Sequence, residues 1–221
     1  HRDLHSFPTR RSSDLWPERW DKPFYDASFS CSSYDNCHVP WGNRHEGTMR
    51  HVKNNDFISG QYVWTGFDYI GEPTPYGWPA RSSYFGIIDL AGFPKDVYYM
   101  YQSEWRPDKA VLHLFPHWNW TEGQDIDLWA YYNNADEVEL FVNGKSQGVR
   151  SKGKDDFHVM WRVKYEPGTV KAVSRKEGKT VAEQEIRTAG EPAQIRLSPD
   201  RSTIQADRKS TRLNSSHQII S

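Results

Sequence analysis

Two things are scarce in this 221-residue chain: cysteine, of which there are two, and long apolar runs. Cys31 and Cys37 are separated by S-S-Y-D-N. A pair this close either bridges in an oxidising compartment or stays as two free thiols, and both readings stand. A metal site needs further ligands at a recognisable spacing. His38 and His45 are nearby, but their spacing matches no zinc pattern, so no metal is expected. No apolar stretch approaches the roughly 20 residues of a membrane-spanning helix, which argues against a membrane partner.

The charge balance needs the two ends set aside first. Arg2–Leu15 (R-D-L-H-S-F-P-T-R-R-S-S-D-L) and Asp207–His217 (D-R-K-S-T-R-L-N-S-S-H) read as translations of the adapters ligated to DNA for high-throughput sequencing. Residues 1–15 and 207–221 are therefore treated as adapter-derived and excluded from fold reasoning. The rival reading, basic Ser-rich tails that touch nucleic acid, needs two adapter matches at opposite ends to be coincidence. Removing six basic and three acidic residues from the 28 and 29 present leaves 22 and 26 in residues 16–206. That remainder is mildly acidic and lacks the basic stripe that a phosphate backbone requires, so no nucleic acid is expected. All ten Trp lie within it, a density that suits a large core or a carbohydrate-binding surface.

The most informative stretch is Phe57–Glu72, F-I-S-G-Q-Y-V-W-T-G-F-D-Y-I-G-E. It starts as a short apolar run with β-branched and aromatic residues, the pattern of a strand covered on both faces. It ends in aromatics and carboxylates, followed by the rigid turn P-T-P-Y-G-W-P. In parallel α/β folds the ligand crevice forms at such strand ends. The same composition also fits a core strand whose Trp64 packs inward.

Val63–Tyr76 (V-W-T-G-F-D-Y-I-G-E-P-T-P-Y), with F-G-I-I-D at 85–89 and G-F-P-K-D at 92–96, resembles the last strand and closing segment of the catalytic barrel of glycoside hydrolase family 2. More narrowly, it resembles the family's β-galactosidases from polysaccharide-degrading bacteria. The resemblance covers about Trp16 to Ala206 and spans several motifs in order. It implies a partial (β/α)8 TIM barrel over 16–107, an immunoglobulin-like β-sandwich over 108–190, and over 191–206 the first strand of a further β domain.

The periodicity agrees with that division. Trp16–Tyr34 is an irregular, Pro- and aromatic-rich loop. Met49 and Val52 sit at helical spacing over His45–Asn55. Phe57–Thr65 is expected to be the eighth barrel strand, and the prolines of 73–79 make that stretch an ordered loop. Val97, Tyr101 and Trp105 fall on one face of a last helix, with Asp96 in its first turn. After Pro107 the period turns to two. Ile126, Leu128, Ala130 and Tyr132 alternate with Asp127, Trp129 and Tyr131, and Val138, Leu140 and Val142 with Glu137, Glu139 and Phe141. Asn143-Gly144 is a hairpin turn, and six or seven short strands indicate an antiparallel sandwich.

Retaining enzymes of the family use two carboxylic acids about 5–5.5 Å apart. The resemblance places both glutamates at strand ends ahead of Trp16, so no catalytic residue is expected here and the chain alone is expected to be inactive. Asp68 and Glu72 do not match the catalytic positions. What the resemblance leaves is a substrate-binding wall. Trp64 would be the platform for the galactose ring, Asp68 would take sugar hydroxyls or fix the next loop, and Glu72 would be held in its turn. Tyr34, Asp35, His38, Trp78 and Arg81 are further candidates at the mouth, each with loop anchoring as the plainer alternative. Asp89 is a candidate turn residue, as are Asp35-Asn36. The implied parent hydrolyses terminal β-galactosides without an organic cofactor, in a periplasmic or extracellular setting. The alternatives are a β-glucuronidase or β-mannosidase of the same family, or a non-catalytic carbohydrate-binding β-sandwich protein.

Overall fold

The structure, a computed structural model, describes residues 34–35, 38–39, 41–74, 76–190 and 203, and the strands Gln194–Pro199 and Ser215–Ile220. The cysteine pair, and the N-terminal loop up to residue 33, lie outside the described residues. The chain divides into two compact units, His1–Arg187 and Thr188–Ser221.

Unit one opens with helix α1, His45–Asn54. Its start is held from a distance: the Asp35 carboxylate accepts the His45 and Glu46 backbone N–H groups at 2.9 and 2.7 Å. These are two of the donors that every helix start leaves unpaired. Glu46 in the first turn and His51 and Lys53 in the last complement the helix dipole. Helix α2, Asp96–Trp105, buries Met100 and Tyr101, whereas Trp105 is half exposed and stacks on Tyr101 at 4.6 Å. The buried positions are therefore 100, 101 and 103, with Val97 partly buried, and the expected 97/101/105 face ends one turn early.

Seven strands follow: β1 (Leu112–Phe115), β2 (Asp125–Tyr132), β3 (Glu137–Val142), β4 (Lys145–Arg150), β5 (His158–Lys164), β6 (Thr169–Lys176) and β7 (Lys179–Arg187). They form two antiparallel sheets, ordered β1-β2-β5 and β4-β3-β6-β7, packed as an immunoglobulin-like sandwich. Side chains of both inner faces meet between the sheets. Leu128, Ala130, Leu140, Val138, Val170 and Ala172 are wholly buried there, with Trp118 and Trp161 as the largest members. The hairpins are two-residue turns with both central residues at positive φ: Asn143 and Gly144 at 49° and 78°, Glu177 and Gly178 at 50° and 75°. That twist matches the strands they join.

Strands at the rim of each sheet are closed by side chains. Gln184 on β7 accepts the Leu114 N–H at 2.6 Å through its amide oxygen, satisfying a donor on the free edge of β1. On the other side the Trp161 indole N–H donates to the Gly148 carbonyl of β4 at 3.0 Å. Both contacts join one sheet to the other, and both cover backbone groups that would otherwise invite strand pairing.

Strand β2 is buried on both faces, and this links the helices to the sandwich. Ile126, Leu128, Ala130 and Tyr132 point between the sheets, while Trp129 and Tyr131 point outward into a second core with Tyr34, Met49, Met100, Tyr101, Phe115 and Phe157. Two polar ties fix the helices to it. Glu46 of α1 meets His158 of β5 at 2.6 Å, the imidazole lying flat on Trp129 with ring centres 3.6 Å apart. Asp96 of α2 meets His113 of β1 at 2.8 Å, that ring stacked on Tyr99 at 3.7 Å. Asp127 also points outward; its buried carboxylate accepts from Arg162 Nε at 3.0 Å, and burial raises it above the ordinary carboxylate range.

In unit two, β8 (Gln194–Pro199) pairs antiparallel with β9 (Ser215–Ile220), Gln194 opposite Ile220 and Pro199 opposite Ser215. Among the described residues no helix is long and apolar enough to cross a membrane.

Candidate carbohydrate site

Between the two helices the chain forms a compact loop structure rather than the strand expected over 57–65. Residues 58–63 carry no ladder, and the described residues before Leu112 hold three isolated bridges only: Phe67 with Ile88, Ile70 with Ser82 and Ile88 with Pro94. The physical reason is that a strand is defined by its neighbours. An apolar extended segment with no adjacent strand has nothing to pair with, whatever its composition.

The loop is organised around Asp68. Its carboxylate accepts the Gly86 backbone N–H and the Lys95 ammonium, both at 2.8 Å, and Lys95 also donates to the Tyr84 carbonyl at 2.9 Å. Around this knot Thr65 N–H donates to Phe85 O, Ile87 N–H to Thr65 O and Asp68 N–H to Ile88 O, at 2.9, 3.0 and 2.9 Å. Further along, Gly71 N–H donates to Arg81 O and Ser83 N–H to Tyr69 O, at 2.9 and 2.8 Å. Lys95 stands at the start of α2, so the knot ties the loop to the helix that rests on the sandwich. Asp89 is a turn residue, its Oδ1 accepting from Ala91 and Phe93.

Trp64 stands out from this scaffold, 74% exposed. The inward-packing alternative is therefore not what is seen. The peptide between Trp64 and Thr65 is cis. The indole N–H donates to the Tyr69 hydroxyl at 3.3 Å, and the two rings meet edge to face at 6.5 Å. Trp78 is exposed too, with the Arg81 guanidinium over its ring at 4.6 Å. Glu72 is exposed on the same loop structure.

Three candidates have other surroundings. Tyr34 is buried in the second core, donates its hydroxyl to the Asp127 carbonyl at 2.7 Å, and packs on Trp129 with ring centres 5.1 Å apart. Asp35 is buried and occupied by the start of α1. Both side chains are buried, and burial raises the Tyr34 phenol and the Asp35 carboxyl and lowers the neighbouring His45 imidazole. His38 is half-buried and hydrogen-bonds to the Val39 carbonyl at 3.0 Å. The structure thus brings Trp64, Asp68, Glu72, Trp78 and Arg81 onto one loop structure and gives Tyr34 and Asp35 structural duties. Sequence reasoning missed Tyr69, five residues past Trp64, and Lys95, whose only signal is its place before a helix. Among the described residues no group of three or more His, Cys, Asp or Glu could hold a metal ion.

The chain, with its solvent-exposed aromatic ridge on a braced loop joined through a helix to an immunoglobulin-like sandwich, is similar to segments of proteins of glycoside hydrolase family 2. Similar solved structures include a member of that family from Bacteroides cellulosilyticus, 30% identical with a TM-score of 0.62 over 73% of this chain and 26% of that one. A β-glycosidase from Bacteroides vulgatus is 36% identical with a TM-score of 0.69, over 87% of this chain and 23% of that one. Among curated proteins, the β-galactosidase BoGH2A of Bacteroides ovatus is 75% identical over 195 residues, 88% of this chain. Residues 123–182, within the sandwich, match a family described as a domain of unknown function, DUF4982. The chain spans about a quarter of the length of these relatives, 23% in the case of BoGH2A.

Proposed function

We propose that this chain is a segment of a retaining β-galactosidase, comprising the closing part of its catalytic barrel and the sandwich behind it. The observation that carries the reading is the 75% identity over 195 residues to a β-galactosidase, a length close to the 191 residues between the two adapter-like ends. The exposed surface supports it. Of the eleven large hydrophobic residues exposed among the described residues, ten lie between Trp41 and Trp105 and only Val149 lies in the sandwich. Phe57, Tyr62, Phe67 and Ile70 in water are unexpected for a finished fold, and are what a barrel's last strand and loops expose without their neighbours.

On this reading residues 16–107 belong to the barrel, 108–190 are the sandwich and 191–206 open a further β domain. Residues 1–15 and 207–221 are adapter-derived; the β8–β9 ladder needs only extended backbone and is compatible with that. Trp64 is the platform on which the C–H face of a galactose ring lies. Asp68 positions the platform through Gly86 and Lys95, and Glu72, Trp78 and Arg81 line its approach. The two carboxylic acids of the retaining reaction, one nucleophile and one acid then base, come from the rest of the parent. A β-glucuronidase remains the second family reading.

The test is hydrolysis of 4-nitrophenyl β-galactoside. The 221-residue chain is expected to give none. The same chain joined to its upstream reading frame is expected to hydrolyse the galactoside in preference to the glucuronide. Turnover by the chain alone, or a joined protein that prefers the glucuronide, contradicts the proposal.

A further inference from the structure

Beyond the Trp64 platform the loop carries a second aromatic feature. Trp78 is 78% exposed, and Arg81 lies over one face of it. The turn that presents them is braced from beneath. Tyr76 N–H donates to Pro73 O and Ala80 N–H to Gly77 O, at 2.9 and 3.0 Å, while the buried Tyr76 ring packs on Tyr84 at 5.0 Å. The indole is therefore held out by structure, not left loose.

The isolated bridge between Ile70 and Ser82 fixes where Arg81 stands. Ile70 is opposite Ser82, so Tyr69 is opposite Ser83 and Gly71 opposite Arg81, as the two backbone bonds of those pairs require. Side chains alternate across paired segments, so Tyr69 and Arg81 share a face as diagonal neighbours. Tyr69, in contact with Trp64, and Arg81, in contact with Trp78, therefore stand on the same face of this pair of segments.

A guanidinium stacked by its flat face keeps its N–H edges for acceptors in its own plane. An indole covered on one face keeps the other for the C–H surface of a sugar. We propose that Trp78 and Arg81 form a second sugar-ring platform, which takes the ring next to the one on Trp64. Two adjacent oxygens of that ring, from a vicinal diol or a ring carboxylate, meet the Arg81 edge. The inference rests on the Trp64 reading and adds that the substrate is an oligosaccharide laid along the shared face of the two segments.

The test titrates the 221-residue chain with galactose, with β-linked galactobiose, and with a disaccharide of galactose linked to glucuronic acid, following the indole N–H resonances by NMR. The disaccharides are expected to bind at least fivefold more tightly than galactose. Trp78→Ala and Arg81→Ala should each abolish that gain, whereas Trp64→Ala should weaken all three. Arg81→Lys, which keeps the charge and loses the planar fork, should lose most of it. A uronate disaccharide that binds tighter than galactobiose assigns a carboxylate to the fork, and equal binding assigns the diol. Both residues are exposed, and unchanged dispersion of the other indole signals reports an intact fold. If W78A and R81A bind the disaccharides as the parent chain does, or the disaccharides bind no better than galactose, the second platform is overturned and the Trp64 reading stands. If none of the sugars moves any indole signal, both fall.

Discussion

Replacing Gly86 with alanine is expected to unravel the loop between the helices while leaving the sandwich folded. A Cβ at residue 86 would sit 2.1 Å from the Asp68 nitrogen, 2.3 Å from the Phe67 carbonyl carbon and 2.6 Å from the Ile88 carbonyl oxygen. All three are backbone atoms, and real contacts of this kind are essentially never under 3 Å. Relief requires the two segments to part. Parting them breaks the Asp68 N–H to Ile88 O bond and pulls the Gly86 N–H from the Asp68 carboxylate, the group that also holds Lys95. A forced overlap plus lost buried hydrogen bonds belongs to the severe class of substitutions, about 4 kcal/mol or more. The measurement is hydrogen exchange: protection of residues 65–71 and 85–89 should be lost while that of β2, β3, β5 and β6 is kept. Retained protection in the loop would show that its backbone is less tightly packed than described.

The second large effect is in the sandwich. Trp161 is 2% exposed, fills the space between the sheets, and ties them at one edge by donating to Gly148 O. Trp161→Ala removes a large apolar group and leaves a cavity, a change that costs about 3–5 kcal/mol, with about 1 kcal/mol more for the edge hydrogen bond. Urea denaturation followed by far-UV circular dichroism should show the midpoint fall with little change in slope. Trp161→Phe, which keeps most of the volume and loses the N–H, should recover most of the difference. A loss under about 1 kcal/mol for the alanine variant would remove Trp161 from the core.

These two sites also show what the sequence could and could not disclose. The sandwich was legible because its cues are local. Val138, Leu140 and Val142 alternate with polar neighbours, and Asn143-Gly144 marks a turn that few other dipeptides make. Which strands share a sheet was not legible, since β4 pairing with β3 and β5 with β2 is decided by long-range packing. The double burial of β2 was half hidden: Trp129 and Tyr131 are aromatic, but their pattern does not say that α1 and α2 cover them.

The candidate site divides in the same way. Trp64, Trp78 and Arg81 lie on the surface. Tyr34 and Asp35 do not, because an aromatic hydroxyl and a carboxylate near a loop serve a core and a helix start as readily as a sugar. The strand expected over 57–65 shows the strongest limit. Its residues suit a buried parallel strand, but such a strand requires neighbours on both sides, and composition cannot supply them.

The most direct measurement concerns Trp64 in the chain joined to its upstream reading frame. There Trp64→Ala should lower kcat/KM for 4-nitrophenyl β-galactoside by at least about a hundredfold, roughly 2.7 kcal/mol, in an enzyme whose melting curve shows it folded. An unchanged kcat/KM in a folded Trp64→Ala enzyme would contradict the assignment of Trp64 as the surface on which the sugar rests.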